Sequence, residues 1–155
     1  MPAAKAIQNI LLIDDDKDDC DVFEQALKSI SGSLQLSYVH QSETALTAIA
    51  AFQPDLIFLD INLPRISGFD CLNDIQANAN YAHIPIVMYS SSDNPKEINT
   101  AYGMGATLYF KKPTNFSLLV QSLKDIITMT WEAPAAIKAQ FYHNNRYLPY
   151  HTETI

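Results

Sequence analysis

Apolar residues collect in five short runs, Ile7–Ile13, Leu34–Val39, Leu56–Leu59, Ile84–Tyr89 and Thr107–Phe110, separated by longer stretches of mixed polarity. Several runs are apolar almost throughout and do not alternate, as expected of strands buried on both faces. The stretches between them have helical period. Asp19–Ile30 places Val22, Phe23, Ala26, Leu27 and Ile30 on one face, and Ser31-Gly32-Ser33 stops it. Ser42–Phe52 carries Ala45, Leu46, Ile49 and Ala50, with Ser42 as its cap and Gln53-Pro54 as its end. Ser67–Asn80 has a weaker stripe of Phe69, Leu72 and Ile75. Asn94–Met104 is polar and interrupted by glycine, which predicts the least stable helix. Asn115–Met129 is strongly amphipathic through Phe116, Leu119, Val120, Leu123, Ile126 and Ile127.

Strands alternating with helices predict right-handed crossovers and a parallel sheet covered on both faces. Five such units suit an α/β, flavodoxin-like, doubly wound domain over residues 1–130, with strand order 2-1-3-4-5. After Met129 the pattern fails. Residues 131–155 hold Trp131, Pro134, Phe141, Tyr142, Tyr147, Pro149 and Tyr150. That extension is too short for a separate output domain and too aromatic for an inert tail.

Charge changes the picture next. The chain of 155 residues carries 10 basic and 17 acidic side chains, a net charge of −7. Such a balance argues against nucleic acid and against anionic lipid as partners, since both need a basic surface. The acidity is local: Asp14, Asp15, Asp16, Asp18, Asp19, Asp21 and Glu24 lie together, with Lys17 the only base among them. Cys20 and Cys71 are too few for a disulfide framework and lack metal-ligand spacing, so they read as reduced thiols. Residues 1–8 show no secretory signal core, and no apolar run approaches the roughly 20 residues needed to span a bilayer. The expected location is the cytoplasm.

In a sheet of this kind, ligands bind beyond the carboxyl ends of the strands. The first apolar run leads directly into Asp14-Asp15, the third into Asp60, the fourth into Ser90 and the fifth into Lys111-Lys112-Pro113. Three carboxylates, a hydroxyl and an ammonium therefore converge on one edge. Packed carboxylates repel, and a hard divalent cation such as Mg²⁺ relieves them. A cation so held, with sites left for substrate phosphate, is a phosphoryl-transfer arrangement. The lysine supplies a point charge and the serine a hydrogen bond for phosphoryl oxygens. The nucleophile is then a carboxylate forming an acyl phosphate, with Asp60 the natural candidate at the end of the central strand.

At these residues the sequence resembles the receiver domain of two-component response regulators. Ile10-Leu11-Leu12-Ile13-Asp14-Asp15-Asp16 is similar to the family's first strand and acidic pair. Asp55 to Pro64, followed by Gly68, is similar to the segment around its phosphoacceptor. Ile84 to Ser91 resembles the fourth strand with its switch hydroxyl, and Gly105-Ala106 through Tyr109 to Lys112-Pro113 resembles the fifth. The resemblance implies that Asp60 accepts phosphate from a histidine kinase or phosphotransfer protein. It implies Mg²⁺ (or Mn²⁺) held by Asp15, Asp60 and the backbone carbonyl of Asn62, with Asp14 acting through metal-bound water. It further implies that Lys112 binds a phosphoryl oxygen, that Lys112-Pro113 is cis, that Ser90 moves toward the phosphate, and that Tyr109 turns inward behind it. Enzymatic activity is then confined to self-phosphorylation and autodephosphorylation. Asp16 adds a third acid beside the pair, and Tyr89 stands where a smaller aliphatic residue is usual. Leu63-Pro64-Arg65 and the Trp soon after the last helix resemble stand-alone regulators that pair with bacterial phytochrome kinases.

Three rival readings exist. A haloacid-dehalogenase-type phosphatase would use Asp14-Asp15-Asp16, Ser90 and Lys112, but needs a later acidic pair; only Asp125, Glu132 and Glu153 follow, and Asp60 is left unexplained. A calcium loop at Asp14, Asp16 and Asp18 fails at Asp19, where glycine is needed, and at Gln25, where glutamate is. A receiver-fold interaction module without phosphorylation remains open. Output is expected by docking to a downstream protein target through the face of the fourth helix, fifth strand and fifth helix, with Ile98, Ala101, Tyr102, Tyr109, Leu118 and Gln121 as candidates. Homodimerisation through that face or the tail is the expected assembly. Asp18, Asp19 and Asp21 are expected to cap and charge the first helix. His40, His83, His143 and His151 are scattered and read as surface or capping residues; spacing does not support a metal site at His143 and His151.

Overall fold

The computed structural model describes residues 6–150. Residues 1–5 and 151–155, with His151 and Glu153, lie outside the described residues. Five strands, β1 (Asn9–Ile13), β2 (Gln35–Val39), β3 (Leu56–Leu59), β4 (Ile86–Ser90) and β5 (Leu108–Lys111), form a parallel sheet in the order β2-β1-β3-β4-β5. The helices are α1 (Lys17–Ile30), α2 (Ala45–Phe52), α3 (Gly68–Ala77), α4 (Pro95–Gly103) and α5 (Phe116–Ile127). The expected fold class and strand order are both present.

Strand side chains alternate between two cores, as the pleat requires. Ile10, Leu12, Leu56, Phe58, Val87, Tyr89, Leu108 and Phe110 pack with α1 and α5. Leu11, Ile13, Ile57, Leu59, Ile86, Met88 and Tyr109 pack with α2, α3 and α4. Burial of Ile10–Ile13 in β1 and of all of β3 and β4 explains why these stretches are apolar almost throughout. β2 is an exposed edge, so its sequence does alternate.

Local chemistry sets the helix ends, with some departures from expectation. Asp16, not Asp18 or Asp19, caps α1: its carboxylate accepts from the Asp18 and Asp19 amides. Asn94 and Asn115 cap α4 and α5 in the same way. Ser42 is not a cap; it opens a single 3₁₀ turn, Ser42–Thr44, and its hydroxyl donates to the Ile66 carbonyl. Val22 and Phe116, expected on buried faces, are exposed, because α1 presents Cys20, Phe23, Ala26 and Leu27 and α5 presents Leu119, Leu123 and Ile126.

The extension past α5 folds back on the domain. Trp131 is buried and its indole N–H donates to the Ile126 carbonyl over 2.8 Å. A helix, α6 (Pro134–Gln140), buries Ile137. A hairpin of β6 (Tyr142–His143) and β7 (Arg146–Tyr147) turns at Asn144-Asn145, whose φ angles of 52° and 64° suit a two-residue primed turn. Tyr150 then pairs in parallel with Phe110 on the outer edge of β5. No helix of the described residues is long and apolar enough to cross a membrane.

Candidate functional site

The sheet's register brings the strand ends level. Ile13 pairs with Leu59 and Leu59 with Met88, so Asp14 and Asp60 emerge side by side. The Asp60 amide donates to the Ile13 carbonyl (2.9 Å), the Asp14 amide to the Val39 carbonyl (3.1 Å) and the Lys112 amide to the Ser90 carbonyl (2.8 Å). Gly68 is demanded by this geometry: a Cβ there would overlap the Asp60 carbonyl and approach Ile61 Cα to 2.7 Å.

Carboxylate oxygens of Asp14, Asp15 and Asp60 lie within 4.8 Å of one another, with Asp14 and Asp60 buried and Asp15 exposed. Lys112 Nζ donates to Asp14 (2.8 Å), to Asp19 (2.8 Å) and to Asp60 (3.3 Å). Its ammonium also stands 5.0 Å from the centre of the Tyr89 ring, a cation–π contact that explains a use for the bulky residue. Burial opposes the Lys112 charge, but its hydrogen bonds to Asp14 and Asp19 and the charge of Asp60 outweigh it, so the ammonium is held more firmly than usual. In Asp60 it is the neutral form that gains. Burial, opposed by the Lys112 charge and reinforced by Asp14, pushes its carboxyl up from 3.8 to about 6. The Asn62 amide donates to Asp60 over 3.3 Å, placing that backbone at the rim. Three hard oxygen donors from carboxylates are the donor set a divalent cation of the Mg²⁺ or Mn²⁺ type takes.

Ser90 is fully buried at the end of β4, and its hydroxyl accepts from the Ser92 amide over 3.2 Å. Tyr109 is already buried on the neighbouring strand, and its hydroxyl donates to the Ser92 carbonyl over 2.8 Å. The Lys112-Pro113 peptide, expected cis, is trans: no cis bond occurs among the described residues. Trans is the intrinsically favoured isomer even before proline, and from it the lysine still reaches its carboxylates.

Every predicted site residue thus lies at one end of the sheet. Asp16 is resolved out of the pocket, as a cap. Asp19, expected to serve the helix dipole, does lie in the first turn of α1, but its carboxylate also accepts from Lys112. The signal was its spacing from the capped start of α1. His40 has the capping kind of role expected of it: its ring nitrogen Nδ1 donates to the Asp14 backbone carbonyl over 3.0 Å. The Cys20 thiol meets the same carbonyl at 3.6 Å and is pushed up to about 12, chiefly by burial.

Residues 10–124 match the response regulator receiver domain. The chain belongs to that family. A probable cyclic di-GMP phosphodiesterase of Vibrio cholerae is 30% identical over 110 residues, which are 71% of this chain and 24% of that protein. Response regulator Rcp1 of Synechocystis is 28% identical over 137 residues, covering 82% of this chain and 93% of that one. The chain therefore spans about a quarter of the first relative and nearly all of the second. The crystal structure of Mn(2+)-bound Rcp1 aligns with a TM-score of 0.68 and 25% identity, over 92% of this chain and 99% of that one. The phosphorylated cyanobacterial phytochrome response regulator RcpA aligns with a TM-score of 0.71 and 30% identity, over 78% of this chain and 91% of that one. The receiver fold agrees with these relatives, and the acidic cluster is consistent with binding of a divalent metal such as the one in Mn(2+)-bound Rcp1.

Proposed function

We propose that this receiver domain is a phosphoryl-accepting switch. Asp60 takes a phosphoryl group from a histidine kinase or phosphotransfer protein, and the change is passed to a docking surface for a downstream protein. The observation that carries this reading is the convergence of carboxylate oxygens of Asp14, Asp15 and Asp60 within 4.8 Å of one another, with an ammonium already in reach of Asp60. The phosphorylated RcpA and Mn(2+)-bound Rcp1 relatives support it.

A carboxyl titrating at about 6 is mostly ionised at neutral pH, so Asp60 has a lone pair for attack. Its oxygen forms the new P–O bond while the P–N bond to the donor imidazole breaks, and that imidazole leaves with the electron pair. Mg²⁺, or Mn²⁺, would be held by Asp15, Asp60 and the Asn62 carbonyl, with Asp14 behind a bound water. When bound, the ion supplies neutralising charge for the phosphoryl oxygens. Lys112 exchanges carboxylate contacts for a phosphoryl oxygen, and Ser90 donates its hydroxyl to another. The Tyr109 hydroxyl ties the loop after β4 to β5, so a displaced Ser90–Ser92 segment is felt on that strand.

No turnover beyond gain and loss of the phosphoryl group is proposed, with the cytoplasm as the proposed location and neither nucleic acid nor membrane as a proposed target. Partnership with a phytochrome-type kinase is proposed on the same relatives. The test is incubation with a small phosphodonor and Mg²⁺, read by intact mass. Incorporation of one phosphoryl group by the parent and none by Asp60→Asn is expected. Equal incorporation in both, or none in the parent, would leave a receiver-fold interaction module instead.

A further inference from the structure

β5 is an edge strand, and the outer side of an edge strand offers unpaired N–H and C=O groups. In this protein the last described residues fill it. The Tyr150 amide donates to the Tyr109 carbonyl over 2.6 Å, and the Lys111 amide donates to the Tyr150 carbonyl over 3.0 Å. The Tyr150 ring is 3% exposed and stands edge-on to Phe110, with centroids 5.6 Å apart. The neighbouring helix is occupied too. The Tyr102 hydroxyl donates to the Leu148 carbonyl over 3.1 Å, and the Tyr147 amide donates to Asn99 Oδ1 over 3.1 Å. The Tyr147 ring stacks on Tyr102 at 4.4 Å and 14°. Segment 147–150 therefore lies along α4 and the outer edge of β5, joined to that strand by a single parallel bridge at Tyr150. Of the six residues expected to form a docking face, Ile98, Ala101, Tyr102 and Tyr109 are buried, leaving only Leu118 and Gln121 partly or fully open.

Two features make this occupancy exchangeable. Its polar contacts run mostly through tail backbone, so any extended chain can reproduce them, with two aromatic side chains providing selectivity. The hairpin that delivers the segment is mostly exposed and only two residues per strand, which places it at the low-stability end of the fold. We propose that residues 147–150 are an intramolecular ligand of the β5 edge, which a partner's extended segment with similarly spaced aromatic residues must displace in order to dock. The proposal rests on the fold and not on phosphorylation, so either can fail alone.

The probe is a labelled peptide with the sequence of residues 141–150, offered to the full chain and to its Tyr150→Pro variant. Proline removes the N–H that bonds the Tyr109 carbonyl and the ring that packs on Phe110. Binding at least tenfold tighter to the variant than to the parent is expected. It should be lost when the peptide's counterparts of Tyr147 and Tyr150 are both serine. Equal affinity for parent and variant, or equal binding of the serine peptide, overturns the proposal. Native-state hydrogen exchange of the parent is the second measurement, needed if the variant does not fold. The Lys111 amide, bonded to the tail, should exchange at least a hundredfold faster than the β3 amides. Exchange of Lys111 at the β3 rate, through global unfolding only, would mean the segment never leaves, and would equally overturn it.

Discussion

The acidic pocket and the covered edge of β5 are neighbours made of opposite materials. In the pocket, Asp14, Asp19 and Asp60 hold a single ammonium, with Asp15 beside Asp14 and Asp60, and burial pushes Asp60 up to about 6. At the edge, backbone hydrogen bonds and stacked rings do the holding, with Tyr150, Trp131 and Ile137 joining the core shared by α1 and α5. Excess negative charge leaves the pocket short of stabilisation that a proton or a cation supplies. The edge has no such shortage. Pocket energetics should therefore respond to pH and metal, and edge energetics to packing. Lys111 and Lys112 stand at the junction, one bonding the tail and the other the carboxylates.

The largest effect expected from breaking this contrast lies on the packing side. Trp131→Ala removes a buried ring and its hydrogen bond, and should cost about 3–5 kcal/mol. Urea denaturation at pH 5 and pH 7 should show the same loss at both. A loss below about 1 kcal/mol would mean that the extension is laid on the domain without sharing its core.

On the pocket side the effect is nearly as large but depends on pH. Asp60 has a folded-state pKa of about 6, above its ordinary 3.8, so the folded protein binds this proton more tightly than the unfolded chain does. Stability from this group is therefore greatest below about pH 4 and falls as pH rises through 6, by about 3 kcal/mol in total. Lys112 is shifted upward from 10.5 and does not titrate in this window. The difference in stability between the parent and Asp60→Asn, both free of metal, should widen in the variant's favour from pH 4 to pH 7. A constant difference would remove the charge strain assigned to the pocket. Metal should relieve the same strain. At pH 7, Mg²⁺ at a hundred times its dissociation constant should stabilise the parent by about 2.7 kcal/mol. Asp15→Asn should blunt that gain, and Trp131→Ala should retain it. Equal gains in parent and Asp15→Asn would place the ion away from this cluster.

The pocket was the more legible of the two regions. Strand ends in a parallel sheet are ordered by topology, so Asp14, Asp60, Ser90 and Lys112 could be gathered from the linear sequence alone. Asp19 escaped because its role depends on the direction of the first turn of α1, which the Asp16 cap determines. Buried β1, β3 and β4 had clear patterns, whereas Val22 and Phe116 misled because apolar residues at a helix edge obey the period without facing the core. The tail was legible only as a surplus of aromatic residues. Its partners, Tyr102 and Tyr109, lie some forty residues earlier, and they read equally well as an open docking face. Composition indicated that those rings needed burial but not against which surface.

The smallest expected effect separates the acids that belong to the pocket from those that merely adjoin it. The Asp16 carboxylate accepts from the Asp18 amide at 2.9 Å and from the Asp19 amide at 3.1 Å, and it is not among the converging oxygens of Asp14, Asp15 and Asp60. Asp16→Ala should therefore cost about 1 kcal/mol, the usual worth of an N-cap, as a lower urea midpoint at unchanged slope. Its Mg²⁺-induced stabilisation should match the parent's, because the pocket's own donors are intact. Asp15→Ala should do the reverse, costing little in the absence of metal, where this exposed carboxylate adds only repulsion, and losing the response to Mg²⁺. If Asp16→Ala lost the metal response instead, the first turn of α1 would be part of the binding site. The boundary between charge-governed pocket and packing-governed scaffold would then lie one residue further along the chain.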